Sequence, residues 1–105
     1  MTSGPYHYSS DVEGGAPVQV RYAIEGRIEP VSYLAFVAER ARWLDIRGWG
    51  QWLGGGRFEI VAAGPEALVG ALEMACTLGP LDALVERIEA TVDNRFVAAG
   101  FEVRG

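Results

Sequence analysis

Nine residues near the start of the chain have the types and spacing that could hold a phosphate group. They are Gly26-Arg27-Ile28-Glu29-Pro30-Val31-Ser32-Tyr33-Leu34, and they follow an alternating apolar segment and lead into a helical pattern. A loop that opens a helix presents backbone N–H groups and the positive end of the helix dipole, which together favour an anion. The segment therefore has the frame of a phosphate site, and its chemistry depends on which side chains converge there.

A strand and a helix position this loop. Between Val18 and Glu25 apolar and polar residues alternate, which is the period of a half-buried strand. From Tyr33 to Leu44 apolar residues recur at helical spacing, and Ser32 is the predicted N-cap of that helix. The loop is thus predicted to lie at one end of a sheet, beside a helix N-terminus.

The remaining sequence predicts a hairpin, a second helix and two more strands. In order, these are strand 46–53, glycine turn 54–56, strand 57–62, a helix opened by Gly64-Pro65-Glu66 and ended by Gly79-Pro80, strand 83–92 and strand 101–104. The element order predicts an α+β fold, a ferredoxin-like βαββαβ sandwich. Two helices then cover one face of an antiparallel sheet and leave the other face open.

Composition and charge bound the class of protein. With 105 residues, half of them hydrophobic, the chain is predicted to form one globular domain at 17–105 behind a flexible N-terminal arm at 1–16. The net charge of −5 argues against nucleic acid or a membrane surface as partner. Cys76 is the only cysteine and His7 the only histidine, so no metal site or other cofactor is predicted. Since neither a signal peptide nor a membrane span is apparent, the expected location is cytoplasmic.

The chain resembles the acylphosphatase family at five places that occur in the same order. The loop is similar to the family signature Gly-Arg-Val-Gln-Gly-Val-Gly-Phe-Arg, and the hairpin is similar to its Arg-Gly-Trp-Val pattern. The five matching segments are 26–34, Arg47-Gly48-Trp49 with Gly56-Arg57-Phe58-Glu59-Ile60, Gly64-Pro65-Glu66, Gly79-Pro80 and Gly100-Phe101-Glu102-Val103-Arg104. The resemblance covers about residues 17–104 and implies the ferredoxin-like fold and descent from enzymes that hydrolyse acyl phosphates.

The resemblance fails where the family carries its chemistry. The family grips the phosphoryl oxygens with loop amides and one arginine, while an asparagine orients the attacking water. Leu34 stands at the arginine position and Trp52 at the asparagine position, and neither can supply those interactions. Pro30 and Ser32 replace loop glycines, which removes one amide donor and disfavours positive φ. We therefore expect no catalytic residue. The resemblance identifies a vestigial phosphate loop made of Arg27, Ile28, Glu29, Pro30, Val31, Ser32 and Tyr33.

Three functions remain open from the sequence. We favour a non-catalytic binding or interaction module. The alternative is an acylphosphatase that hydrolyses the carboxyl-phosphate bond with a rearranged site, and the third is a domain that oligomerises through the open sheet face or an edge strand. By the family alignment, Leu34 and Trp52 are expected to converge where the charged substrate would bind, and Leu53 follows Trp52 in the sequence. They either plug the empty pocket or form an apolar patch for a protein partner, a second copy or an apolar ligand.

Overall fold

The computed structural model describes residues 15–105, which form five strands and two helices. Their bounds are β1 Pro17–Arg27, α1 Pro30–Trp43, β2 Arg47–Gly54, β3 Arg57–Pro65, α2 Glu66–Leu78, β4 Leu84–Val92 and β5 Phe101–Arg104. The predicted arm at 1–16 lies outside the described residues except for its last two.

The strands form one sheet in the order β4-β1-β3-β2-β5. The pairs β1–β3, β1–β4 and β2–β3 are antiparallel, whereas β2 and β5 are parallel. The sheet is therefore mixed, and the prediction of an antiparallel sheet is wrong for this one pair. The cause is the connection 93–100, because it leaves the β4 edge and brings β5 to the opposite edge in the direction of β2. The ferredoxin-like α+β sandwich is confirmed.

The main core lies between the sheet and the two helices. Tyr22 and Ile24 of β1 and Phe58 and Ile60 of β3 are buried there, because residues two apart along a strand share a face. Tyr33 of α1 is fully buried among them, with its ring centroid 5.3 Å from that of Phe58. The loop thus ends in a residue that is part of the core.

The sheet face opposite the helices is partly covered, although the sequence predicted an open face. Val97 from the connection 93–100 packs with Trp49, Val61 and Ala63 in a second buried cluster. Arg47 fixes this connection by donating a hydrogen bond to the carbonyl of Val97 at 3.3 Å. Only part of this face therefore stays available to solvent or a partner.

Helix α1 begins three residues before the predicted start. Pro30 is its first residue and Glu29 is its N-cap, with a carboxylate that accepts hydrogen bonds from the amides of Val31 and Ser32. The prediction that Ser32 is the N-cap is wrong, and its hydroxyl donates to Asp82 at 3.2 Å instead. The physical reason is that proline is pre-organised for the first helical position, so the cap falls on the residue before it.

Candidate functional site

Two glycines bring the loop that begins at Gly26 against the hairpin turn. The amide of Gly26 donates to the carbonyl of Gly56 at 2.9 Å. A Cβ on Gly26 would collide with the carbonyl of Leu84, and a Cβ on Gly56 would collide with the carbonyl of Gly26. This close approach of backbones requires glycine at both positions, and it places the loop beside the β2–β3 turn.

The carboxylate of Glu29 accepts hydrogen bonds from amides at the start of α1 that a bound phosphate would need. It accepts from the amide of Ser32 at 2.7 Å and from the amide of Val31 at 3.2 Å. The amide of Tyr33 donates to the backbone carbonyl of Glu29 at 3.1 Å, and Pro30 has no N–H. The first turn of α1 is thus already capped by an internal anion, and an incoming anion would have to displace a group of its own charge.

Leu34 and Trp52, which the sequence analysis aligns with the family's catalytic pair, lie in one groove. Leu34 is buried, whereas the indole of Trp52 is 48% exposed and Leu53 is 37% exposed. The groove holds about 440 Å³. Its lining residues are Pro30, Val31, Leu34, Ala35, Trp52, Val103, Arg104 and Gly105. Leu34 forms the floor, so the pocket is filled at its base and remains open above.

The indole of Trp52 is held by the hairpin and does not close the groove. Its Nε1–H donates to the carbonyl of Gly55 at 2.8 Å. This bond fixes the ring at the end of β2 while leaving about half of its surface in solvent. Of the two outcomes that the sequence left open, Leu34 acts as a plug and Trp52 contributes an exposed apolar surface.

Arg27 is directed away from this groove. Its side chain is 86% exposed and its Nε lies 4.0 Å from a carboxylate oxygen of Glu86 on β4. Strand β4 flanks β1 on one side, whereas Trp52 lies on β2 beyond β3 on the other side. The loop cation and the two replaced positions therefore do not converge.

The sequence analysis missed a charged cluster on the sheet face opposite the helices. The carboxylate of Glu59 accepts hydrogen bonds from Arg21 at 2.5 Å, Arg95 at 3.0 Å and Trp49 at 3.3 Å. Burial alone would raise the pKa of Glu59, but these three donors hold it below its ordinary value. Arg95 lies in the connection 93–100, so its bond to Glu59 ties that connection to the sheet. It also donates to Asp93 of the same connection at 2.9 Å. Because its charged groups are paired internally, the cluster organises the sheet.

The described residues offer few other sites for chemistry. Cys76 is buried in α2, and this burial raises the pKa of its thiol to about 12, so the nucleophilic thiolate is not formed at neutral pH. Within residues 15–105, His, Cys, Asp and Glu side chains do not group in threes or more as metal ligands would. No helix among these residues has the length and apolar character needed to cross a membrane.

Several known proteins that resemble this chain in sequence are acylphosphatases. A family model described as Acylphosphatase matches residues 20–103. The acylphosphatase of Anaeromyxobacter dehalogenans (strain 2CP-C) is 35% identical over 88 residues, which are 83% of this chain and 95% of that protein. The acylphosphatase of Chloroflexus aurantiacus is 39% identical over 72 residues, or 69% of this chain and 78% of that protein.

A solved structure agrees with these sequences. The crystal structure of acylphosphatase from Bacillus subtilis matches with a TM-score of 0.76 at 27% sequence identity, covering 84% of this chain and 99% of that one. The sequence matches extend through both halves of the fold, including the loop and the hairpin. The chain therefore belongs to the acylphosphatase family.

Proposed function

We propose that this member of the family does not hydrolyse acyl phosphates and that it binds an apolar partner through the groove between α1 and β5. One observation carries the proposal: an internal carboxylate, that of Glu29, caps the loop amides, and an aliphatic side chain, that of Leu34, stands where the family has its phosphate-binding cation. The groove is thereby unsuited to a charged substrate and suited to an apolar one.

Electrostatics work against a phosphate at this loop. An acyl phosphate is an anion, and the nearest charged group at the helix N-terminus is the carboxylate of Glu29, so the interaction is repulsive. A single misplaced donor at a transition state costs about 10²- to 10³-fold in rate. Here the arginine and the asparagine are both replaced, by Leu34 and Trp52. Even with non-additive losses, little rate enhancement is expected to survive.

The side chain of Arg27 is a poor substitute for the missing cation. It extends toward Glu86 on β4 and is mostly in water. To contact a phosphate bound at the amides of Val31 and Ser32, the Arg27 side chain would have to leave that position. It would then lie near the Glu29 carboxylate and pair with it. An Arg27–Glu29 pair would neutralise the charge of Arg27 rather than leave it free to bind substrate.

The surface of the groove supports binding of an apolar group. Val31 is 76% exposed and lines the groove together with Val103 and Trp52. A half-exposed tryptophan beside aliphatic side chains is typical of the anchor regions of protein interfaces. We place the protein in the cytoplasm, and the reduced, buried Cys76 is compatible with that compartment.

A second candidate function is acyl-phosphate hydrolysis with a rearranged site. The identity to proteins named acylphosphatase, over 95% of the length of one of them, favours it. It requires that Glu29 release its amides and that Arg27 supply the charge, and the geometry of neither group is arranged for this. For this reason we place it second.

Replacing Trp52 by alanine is expected to abolish binding of an apolar probe while changing stability little. A neutral dye such as N-phenyl-1-naphthylamine should gain fluorescence in the wild-type groove and lose that gain in Trp52→Ala. Because the indole is half exposed and makes one hydrogen bond to Gly55, the free energy of unfolding should fall by only about 1 kcal/mol. Dye titration and chemical denaturation measure the two quantities.

Trp43→Ala is the matched control for this experiment. Trp43 is 69% exposed at the end of α1 and does not line the groove. It should bind the dye as the wild type does. Equal dye binding by Trp52→Ala and the wild type would show that the groove is not the apolar site and would contradict the binding half of the proposal.

A further inference from the structure

Strand β5 forms one edge of the sheet and has backbone groups that point outward. The amide of Gly48 donates to the carbonyl of Gly100 at 3.0 Å across the parallel β2–β5 pair. Alternate residues of a strand direct their N–H and C=O groups to the same side. The residues two and four positions after Gly100 therefore also face β2, and Phe101 and Val103 direct their backbone groups outward.

The outward edge is protected at one end and open at the other. The guanidinium of Arg42 donates to the carbonyl of Phe101 at 2.9 Å. In the part of the chain that the structure describes, β5 has a neighbouring strand only on its β2 side. The outward N–H and C=O of Val103 are consequently the part of the edge that is ready to pair with another strand.

We propose that a second copy of this chain pairs its β5 with this β5 in antiparallel orientation, centred on Val103. The inference rests on the proposed function, because the groove beside Val103 is the binding surface named there. Around a two-fold axis each Val103 amide donates to the Val103 carbonyl of the other copy, and two five-stranded sheets become one of ten strands.

The charges flanking Val103 are self-complementary in this register. Glu102 and Arg104 lie on the sheet face opposite the helices and pair with each other within one chain at 2.7 Å. An antiparallel pairing centred on Val103 sets Glu102 of each copy opposite Arg104 of the other. Opposite charges directly across two strands stabilise the pair, whereas like charges destabilise it.

The apolar groove continues the same interface on the helix face. Val103 is 46% exposed there and lines the groove together with Val31 and Trp52. A two-fold axis at Val103 brings the two grooves together and removes these side chains from water. A four-residue strand and one groove make an interface smaller than the ~1,200 Å² of stable complexes, so the dimer should be weak and depend on concentration.

The other sheet edge, β4, has a related charge pattern and provides the control. Ile88 faces outward there by the same alternation, since the amide of Asp93 donates to the carbonyl of Gln19 on β1. Arg87 and Glu89 flank it as Glu102 and Arg104 flank Val103. Ile88, however, packs on the main core and does not line the apolar groove that adjoins Val103. We therefore assign the pairing to β5.

Sedimentation equilibrium of the full chain between about 10 µM and about 1 mM tests this assignment, because weak interfaces associate in that range. The wild type should show a monomer–dimer equilibrium. Val103→Pro should be monomeric, because proline removes the outward N–H without removing a bond to β2. Ile88→Pro should dimerise as the wild type does. Circular dichroism verifies that both variants are folded.

A charge swap gives a second test that does not depend on proline. Glu102→Arg places arginine opposite Arg104 and should weaken dimerisation by about tenfold or more. The double variant Glu102→Arg, Arg104→Glu keeps the opposite charges in exchanged positions and should restore it. Failure of the double variant to recover affinity would contradict the β5 register.

The dimer and the proposed function can fail separately. A wild type that stays monomeric at the highest concentration, or a dimer unaffected by Val103→Pro but lost in Ile88→Pro, overturns the pairing through β5. If the dye still binds the wild type and not Trp52→Ala in that case, the groove remains a binding site for another apolar partner. If neither dye nor second copy binds, the proposed binding function fails as well.

Discussion

Replacing Tyr33 by alanine is expected to lower the free energy of unfolding by about 4 kcal/mol. The residue belongs to the predicted phosphate loop, yet its ring is fully buried and packs on Phe58. Its hydroxyl donates to the carbonyl of Cys76 at 2.6 Å. That carbonyl lies in the last turn of α2, and the residue four positions on is Pro80, which has no N–H. Tyr33 thus packs in the core with its ring, and its hydroxyl satisfies a carbonyl at the end of α2.

Urea denaturation of Tyr33→Ala and Tyr33→Phe separates these two contributions. The phenylalanine variant keeps the ring and leaves the Cys76 carbonyl without its hydroxyl partner, so a loss of about 1–2 kcal/mol is expected. Val31→Ala, two residues earlier and exposed, should change stability little. A loss below about 1 kcal/mol in Tyr33→Ala would contradict the packing described for this residue.

Replacing Glu59 by alanine is expected to lower the free energy of unfolding by about 2 kcal/mol at neutral pH. The change leaves Arg21, Arg95 and the indole N–H of Trp49 without their shared acceptor. Breaking a fully buried ion pair costs more, about 3–5 kcal/mol, but both arginines retain access to water and the effect is reduced accordingly. Glu59→Gln, which keeps an acceptor without the charge, should lose less.

The same carboxylate gives stability a dependence on pH. Burial raises the pKa of Glu59, but the hydrogen bonds from Arg21, Arg95 and Trp49 outweigh burial and hold the pKa below its ordinary value. A lowered folded-state pKa contributes stability that is present above the unfolded-state pKa, about 4.3, and is lost as the pH falls through the folded-state value. Denaturation midpoints measured from pH 7 downward should therefore fall less steeply in Glu59→Gln than in the wild type.

Asp93 is a second carboxylate whose protonation lowers stability in acid, in the wild type and in Glu59→Gln alike. Burial raises its pKa, but hydrogen bonds from Arg95 and Gln19 outweigh burial and lower it, so part of the acid sensitivity remains in Glu59→Gln. Identical pH profiles for the wild type and Glu59→Gln would contradict the role assigned to the Glu59 carboxylate.

Most of the fold could be predicted because local patterns determine it. The alternation in β1, the glycine turn of the hairpin and the proline and glycine signals around α2 are each set by neighbours in sequence. The direction of β5 could not be predicted in this way, since it depends on the path of the connection 93–100 across the sheet.

Part of the candidate site could also be predicted from the sequence, and part could not. The positions of Leu34 and Trp52 follow from matching the loop and the hairpin to the family. The Glu29 cap was missed because a glutamate before proline is a weak signal until the helix start is known. The partners of Glu59 were missed because Arg21 and Arg95 lie 38 and 36 residues away, and only the sheet register brings them together.

Hydrolysis of acetyl phosphate by the wild-type chain tests the central claim most directly. The positive control is a variant that restores the family pattern. Its five changes are Glu29→Gln, Pro30→Gly, Ser32→Gly, Leu34→Arg and Trp52→Asn. We expect the wild type to leave the uncatalysed rate unchanged and the restored variant to exceed it, because each restored donor contributes about 10²- to 10³-fold. Saturable wild-type turnover that Arg27→Ala abolishes would contradict the claim and identify an active acylphosphatase with a rearranged site.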